Sequence, residues 1–113
     1  MQRQVFEAAM SGDASAMAIL SQEALREGQI CEAAYWSVMA EIRGYPPAGM
    51  YVGSCIQVWM QAGRPMDGNE FGFHAMEFLA GVSAGMARIW FQRERIRGNR
   101  DAGEFLMFYS SAV

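Results

Sequence analysis

A repeat of 35 residues constrains the fold of this chain more than any other feature. A glycine recurs at that interval, and a glutamine stands six residues before each one, as in Gln22 and Gly28, Gln57 and Gly63, and Gln92 and Gly98. In the same register one column stays bulky and apolar (Trp36, Phe71, Leu106) and another stays small (Ala40, Ala75, Ser110). Repeats of roughly 20 to 50 residues are typical of stacked helical units. The sequence therefore predicts an all-α fold of about three helical hairpins.

The helices can be located from the repeat glycines, because glycine adopts the left-handed backbone that often follows a helix end. First helices of the hairpins are predicted at 14–27, 49–62 and 83–97, second helices at 31–43, 69–80 and 101–111, and a short opening helix at 2–11. Residues 50–59 contain good strand formers, but the repeat register favours helix there. Asp13 and Ser83 are suited to cap their helices, and residues 64–69 are predicted to form a longer loop.

Two further patterns refine these helices. The apolar residues of 31–43 recur at helical spacing and form one stripe, made of Cys31, Ala34, Tyr35, Val38, Met39 and Ile42. The opposite side, with Glu32, Ser37 and Glu41, is predicted to face solvent. A second echo, at an offset of 36, pairs Pro47-Ala48-Gly49-Met50 with Ser83-Ala84-Gly85-Met86.

Composition limits the domain organisation and the compartment. With 113 residues, the chain is predicted to be one helical-repeat domain, 1–113. Hydrophobic residues make up 52% of it and charged residues 19%, which leaves apolar side chains beyond the needs of one small core. Cys31 and Cys55 are interpreted as reduced core residues of a cytoplasmic protein. No apolar run reaches the roughly 18 residues that would span a bilayer, so the protein is expected to be soluble.

Three segments resemble the tetratricopeptide repeat or its Sel-like relative. They are Ala8-Ala9 with Gly12-Asp13-Ala14, then Glu32-Ala33-Ala34-Tyr35-Trp36, and Ala40 with Gly44-Tyr45-Pro46-Pro47-Ala48. The match is best over residues 7–60. The resemblance implies a right-handed stack of hairpins whose first helices line a concave groove for a peptide or helix. Short arrays of this kind resemble bacterial adaptors and secretion chaperones, which implies a protein-binding function.

The resemblance also implies which side chains face the partner. In each first helix these are the repeat glutamine and the residue three before the glycine: Gln22 and Leu25, Gln57 and Met60, and Gln92 and Arg95. Glutamine can bond a peptide backbone, and methionine adapts to irregular apolar surfaces. Solvated surface glutamines are the alternative interpretation.

The basic residues are concentrated near the C-terminus. All nine are arginine, and five of them fall within residues 88–100. Arg88 and Arg95 are seven residues apart, so on a helix they project from one face, and they are predicted to recognise acidic groups of the partner. An ordinary charged helix face is the alternative. Nucleic-acid binding by this cluster is a further alternative, although the net charge of -3 and the pI near 5.0 argue against it.

The last predicted helix, 101–111, is more apolar than the outer helix of a repeat array usually is. Either it folds back over the core or another chain covers it. The second interpretation predicts a homodimer, with self-association through Phe105, Met107 and Phe108.

No catalytic or metal-binding constellation stands out. His74 is the single histidine, with Glu70 and Glu77 on the same side of its helix, and three ligands from one helix suit a metal poorly. The cysteines lack a neighbouring base. The chain is therefore expected to be no enzyme and to need no cofactor. A protein-binding adaptor or chaperone is predicted, with an inhibitor or structural factor that blocks a target protein as the alternative.

Overall fold

The computed structural model of the chain describes residues 3–45 and 47–97. These residues form helices and turns, without a strand among them, in the order α1 (Arg3–Met10), α2 (Ala14–Arg26), α3 (Ile30–Ile42), α4 (Ala48–Gln61), α5 (Glu70–Ala80) and α6 (Ala84–Arg97). The all-α prediction is confirmed, and residues 50–59 are helical within α4. The helix predicted at 101–111, with the self-association residues Phe105, Met107 and Phe108, lies outside the described residues.

The helix ends follow the predicted turn chemistry. Gly28 and Gly63 adopt φ values of 81° and 89° just beyond α2 and α4, in the left-handed region that glycine tolerates best. Asp13 caps α2, since its carboxylate accepts hydrogen bonds from the backbone N–H groups of Ser15 and Ala16 at 3.0 and 3.2 Å. The local sequence therefore sets where α2 begins and where both helices end.

Helix α3 lies at the centre of the described structure and contacts α2, α4, α5 and α6. The prediction that Glu32, Ser37 and Glu41 form a solvent-facing side is wrong. Ser37 is fully buried and its hydroxyl donates to the carbonyl of Ala34 at 3.1 Å, while both glutamates are half-buried. Since neighbouring helices surround α3, the side opposite the apolar stripe is buried as well.

Burial of α3 by other helices accounts for its apolar character. Among the described residues, no helix combines the length and the hydropathy required to cross a membrane. The core instead consists of interhelical contacts, with the side chains of Leu20, Ile42 and Trp59 almost completely buried.

The second hairpin is more open than the first. Helices α2 and α3 pack extensively along each other, whereas α4 and α5 both pack mainly against α3 and touch each other little. The predicted longer loop, residues 64–69, separates them. It carries the chain across the N-terminus of α3, so that α4 and α5 lie against different sides of that central helix.

This loop is tied to α3 by hydrogen bonds. The carboxylate of Asp67 accepts from the backbone N–H groups of Ile30 and Cys31 at 2.8 and 2.9 Å. The carbonyl of Pro65 accepts from the indole N–H of Trp59 at 2.9 Å and from the thiol of Cys31 at 3.3 Å. Gln29, at the start of α3, makes no side-chain cap of its own. Asp67 therefore caps a helix that begins 37 residues earlier in the chain.

Helix α5 approaches α3 unusually closely just after this loop. Asn69 caps α5 by accepting a hydrogen bond from the N–H of Gly72 at 2.8 Å. Gly72 is buried, and a Cβ atom at this position would overlap the carbonyl oxygen of Cys31. The two helix backbones meet here because glycine has no side chain to separate them.

Candidate functional site

A groove of about 510 Å³ separates α4 from α6 and is the candidate functional site. Its α4 wall consists of Gly49, Val52, Gly53 and Ile56, which lie on one face of that helix because they are spaced by three and four residues. Its volume falls within the range of roughly 300 to 1,000 Å³ that is usual for binding pockets. We refer to it as the α4–α6 groove.

The opposite wall and the floor of the groove are also mainly apolar. Ala87 and Phe91, one helical turn apart, form the α6 wall. Leu79 closes the groove from the end of α5, and Glu41 and Ser83 are polar residues in its lining. An apolar lining with few polar groups can bury a partner side chain and still orient it by hydrogen bonds.

Two glycines, Gly49 and Gly53, make the α4 wall of the groove low, because they have no side chains that project into it. A Cβ atom on Gly53 would meet nothing within 4 Å, and one on Gly49 would lie 3.6 Å from the carboxylate of Glu41. Glycine lowers the helix propensity of both positions. Because glycine has no side chain, however, a bound chain can approach the α4 backbone closely at these positions.

Exposed methionines stand beside both walls. Met50 follows Gly49 in α4 and Met86 precedes Ala87 in α6, with 74% and 59% of their surfaces exposed. Ile89 on α6 is also exposed. Flexible thioether side chains adapt to partners of irregular shape, and exposed apolar side chains in a cluster are typical of interaction surfaces. The surroundings of the groove are therefore suited to an apolar partner.

The predicted partner-binding residues are partly accessible. Gln22, Gln57 and Gln92 are all exposed, Met60 is 47% exposed, and Leu25 is half-buried. None of these five lines the groove, although Gln57 and Gln92 directly follow Ile56 and Phe91, which do. Their contact with a partner stays a prediction. The side chains of Arg88 and Arg95 lie outside those that the structure describes.

Sequence reasoning missed the groove, but a signal for it was present. The echoed segments Pro47-Ala48-Gly49-Met50 and Ser83-Ala84-Gly85-Met86 stand at the N-terminal ends of the two helices that border the groove. Glycines four residues apart in an apolar helix, Gly49 and Gly53, also indicate a face of α4 that another chain could approach closely. Neither pattern alone reveals how far apart α4 and α6 lie.

His74 lies outside the groove walls. Its Nδ1 is 3.2 Å from Oε1 of Glu77, one turn further along α5. Within residues 3–45 and 47–97, no group of three or more histidine, cysteine, aspartate or glutamate side chains is arranged to hold a metal ion.

Both cysteines are free and buried, as predicted. Burial raises the pKa of the Cys31 thiol to about 11, and the neighbouring carboxylate of Asp67 adds to this effect. Burial also raises the pKa of Cys55, although hydrogen bonds with Ser37 and Ser21 oppose the shift. The thiolate is the nucleophilic form of cysteine, so neither side chain is activated for chemistry.

We expect both thiols to resist a thiol reagent such as DTNB in the folded protein at about pH 8, close to the pKa of a free cysteine. In denaturant, both should react at once, since unfolding exposes them. Absorbance of the released thiol measures the rate. Fast labelling of native protein would contradict the buried, protonated state of these side chains.

Comparison with known proteins gives no relative from which a function could be transferred: no family model, curated protein or solved structure matches the chain. The chemistry of the groove itself is therefore the basis for the function.

Proposed function

We propose that this protein binds another protein and holds a peptide or helix of that partner in the α4–α6 groove, as an adaptor or chaperone. The observation that carries the proposal is the groove between α4 and α6, the two helices that the sequence predicts to be first helices of successive repeats. Its Gly49 and Gly53 leave room for a chain to approach the α4 backbone, and Val52, Ile56 and Phe91 supply apolar surface. Burial of apolar surface is the main driving force of such association.

Binding fits the described residues better than catalysis does. An active site requires a nucleophile or a general acid and base within hydrogen-bonding reach of one another. Among the described side chains that line the groove, Glu41 is the one titratable residue. The thiols of Cys31 and Cys55 are buried and protonated. The reduced state of these thiols also supports a cytoplasmic location, which we include in the proposal.

Replacing Gly53 with tryptophan tests the proposal, because the new side chain would occupy the groove without displacing the core. Gly53→Trp should abolish partner retention when the purified protein is used as bait in an extract of its source organism. Ser54→Trp is the matched control, since Ser54 is exposed on the same helix and does not line the groove. It should retain the partner.

Circular dichroism and thermal unfolding should show that both variants are folded. Equal retention of the same partner by Gly53→Trp and Ser54→Trp would eliminate the groove as the binding site. The identity of the retained protein separates two kinds of binding protein: a secreted client indicates a chaperone, whereas a host or defence enzyme indicates an inhibitor.

A further inference from the structure

We infer, on the basis of the proposed function, that the partner segment held in the α4–α6 groove is an acidic amphipathic helix. Its apolar side chains fill the groove, and its carboxylates lie along the C-terminal half of α6. The two helices that form the walls differ in charge, and this difference selects the partner. An apolar lining alone would accept a helix of either sign.

The α4 wall of the groove is electrically neutral. Helix α4, Ala48–Gln61, contains no charged residue and no histidine. The residues exposed along it beside the groove are small, apolar or amide side chains, as at Met50, Gly53, Ser54 and Gln57. This wall therefore binds apolar surface without discriminating between acidic and basic partners.

The helix that forms the other wall is strongly basic. Helix α6 contains four arginines and one glutamate. Three of the arginines closely follow the groove residue Phe91, at Arg93, Arg95 and Arg97. With a rise of about 1.5 Å per residue, their Cα atoms lie about 3 to 9 Å beyond that of Phe91 along the helix axis. Exposed charges act over about 10 Å in about 0.1 M salt, so a helix in the groove lies within reach of this positive charge.

Arg93 is the arginine of this group whose side chain the structure describes. It is exposed, and within the described part of the molecule it forms no hydrogen bond or ion pair that would neutralise its charge. The planar guanidinium of arginine can donate two parallel hydrogen bonds to a carboxylate. The sequence predicts the same type of contact for Arg88 and Arg95, which also belong to α6.

The part of the chain before α6 has the opposite charge. Residues 3–83 carry four arginines and nine aspartates or glutamates. An acidic helix is therefore repelled by most of the molecule and attracted by α6, whereas a basic helix has many competing sites outside the groove. The carboxylate of Glu41 also lies 3.6 Å from the position that a Cβ atom on Gly49 would take. Carboxylates of the partner are therefore disfavoured beside the start of α4 and favoured along α6.

Two labelled peptides test the inference on the full-length protein. They share one apolar stripe at helical spacing and differ only in their polar face, which is glutamate in one peptide and lysine in the other. In about 50 mM salt, fluorescence anisotropy should show that the glutamate peptide binds about tenfold more tightly, an effect that a few exposed ion pairs can produce. The ratio should fall severalfold in about 500 mM salt, because ions screen exposed charges.

Variants of α6 should change this ratio. One variant removes the charge of the three arginines beyond Phe91: Arg93→Gln, Arg95→Gln and Arg97→Gln. It should bind both peptides about equally, whereas lysine at the same three positions should keep most of the preference. The matched control removes three exposed arginines outside α6 and changes the net charge equally: Arg3→Gln, Arg26→Gln and Arg64→Gln. The control should keep the preference, and circular dichroism should show that each variant is folded.

Several outcomes would overturn the inference: equal binding of the two peptides, tighter binding of the lysine peptide, or a preference that is the same at both salt concentrations. Should the glutamine variant of α6 unfold, the salt dependence of the natural protein still decides the question. Salt-sensitive binding of single-stranded DNA, with no binding of either peptide, would identify nucleic acid as the ligand of α6 and overturn the inference as well.

Gly53→Trp distinguishes this failure from failure of the proposed function. If both peptides bind equally and Gly53→Trp abolishes the binding of both, the groove holds helices of any charge, so only the acidic preference is wrong. If Gly53→Trp binds the peptides as the natural protein does, the groove is not the binding site and the proposed function fails together with the inference.

Discussion

Gly72→Ala is expected to lower the free energy of unfolding by about 3 kcal/mol or more, which is a large part of the roughly 5 to 15 kcal/mol that stabilises an ordinary domain. The new methyl group would overlap the carbonyl oxygen of Cys31 and lie 2.7 Å from its carbonyl carbon. Both groups belong to backbone in the middle of the core, so no side-chain rotation relieves the overlap. Helices α3 and α5 would have to move apart, which would disrupt the close packing around them.

Gly53→Ala is the matched control for this prediction. It makes the same chemical change in a helix, but its Cβ meets nothing within 4 Å. Alanine there should stabilise the protein by about 0.5 to 1 kcal/mol, because it removes the conformational freedom of glycine from the unfolded chain. Urea unfolding followed by circular dichroism measures both values. Gly72→Ala with the stability of the natural sequence would refute the close approach of α3 and α5.

Asp67→Ala should have the second largest effect, a loss of about 2 kcal/mol in the free energy of unfolding. It removes the acceptor for the N–H groups of Ile30 and Cys31, two residues that are almost completely buried. The negative charge of Asp67 also interacts favourably with the positive, N-terminal end of the α3 dipole. Asp67→Asn keeps one acceptor oxygen and should lose less. Stability of Asp67→Ala equal to that of the natural sequence would show that water replaces the cap without loss.

The same cap makes stability depend on pH. Burial raises the pKa of Asp67, but hydrogen bonds from the Cys31 side chain and from the N–H groups of Cys31 and Ile30 outweigh it, and the net effect lowers the pKa. A carboxylate with a lowered folded-state pKa stabilises the fold above its unfolded pKa of about 3.9, and this stabilisation is lost as pH falls through the folded value. Below about pH 4, the free energy of unfolding should therefore fall less steeply with decreasing pH in Asp67→Asn than in the natural sequence.

The helices and their ends could be predicted because their causes are local. The repeat glycines place the turns, and the cap at Asp13 depends on residues two and three positions away. Helix α4 contains strand-forming residues, but the repeat register predicts a helix there. The structure has a helix, and Val52 and Trp59 are buried on one of its faces. Periodicity therefore gave the element type correctly even where local propensity opposed it.

The features that could not be predicted all depend on contacts between distant segments. The bond from Ile30 to Asp67 joins residues 37 positions apart, and nothing near Asp67 in the sequence indicates its partner. Ser37 looks like a surface residue until α3 is surrounded by other helices. The groove likewise depends on the spacing of α4 and α6, which is a property of the packed structure and not of either helix.

The central position of α3 has a consequence for synthesis on the ribosome. Residues 30–42 are made early, but Asp67, Phe71 and Ala75, which complete their environment, are translated 25, 29 and 33 residues after Ile42. Until the nascent chain has emerged past these residues, a helix that is apolar on nearly every side stays uncovered. Exposed surface of this kind is what chaperones and proteases recognise. A product that terminates before Asp67 should accordingly be degraded or aggregate, even though four of the six helices in the described part of the chain would have begun to form.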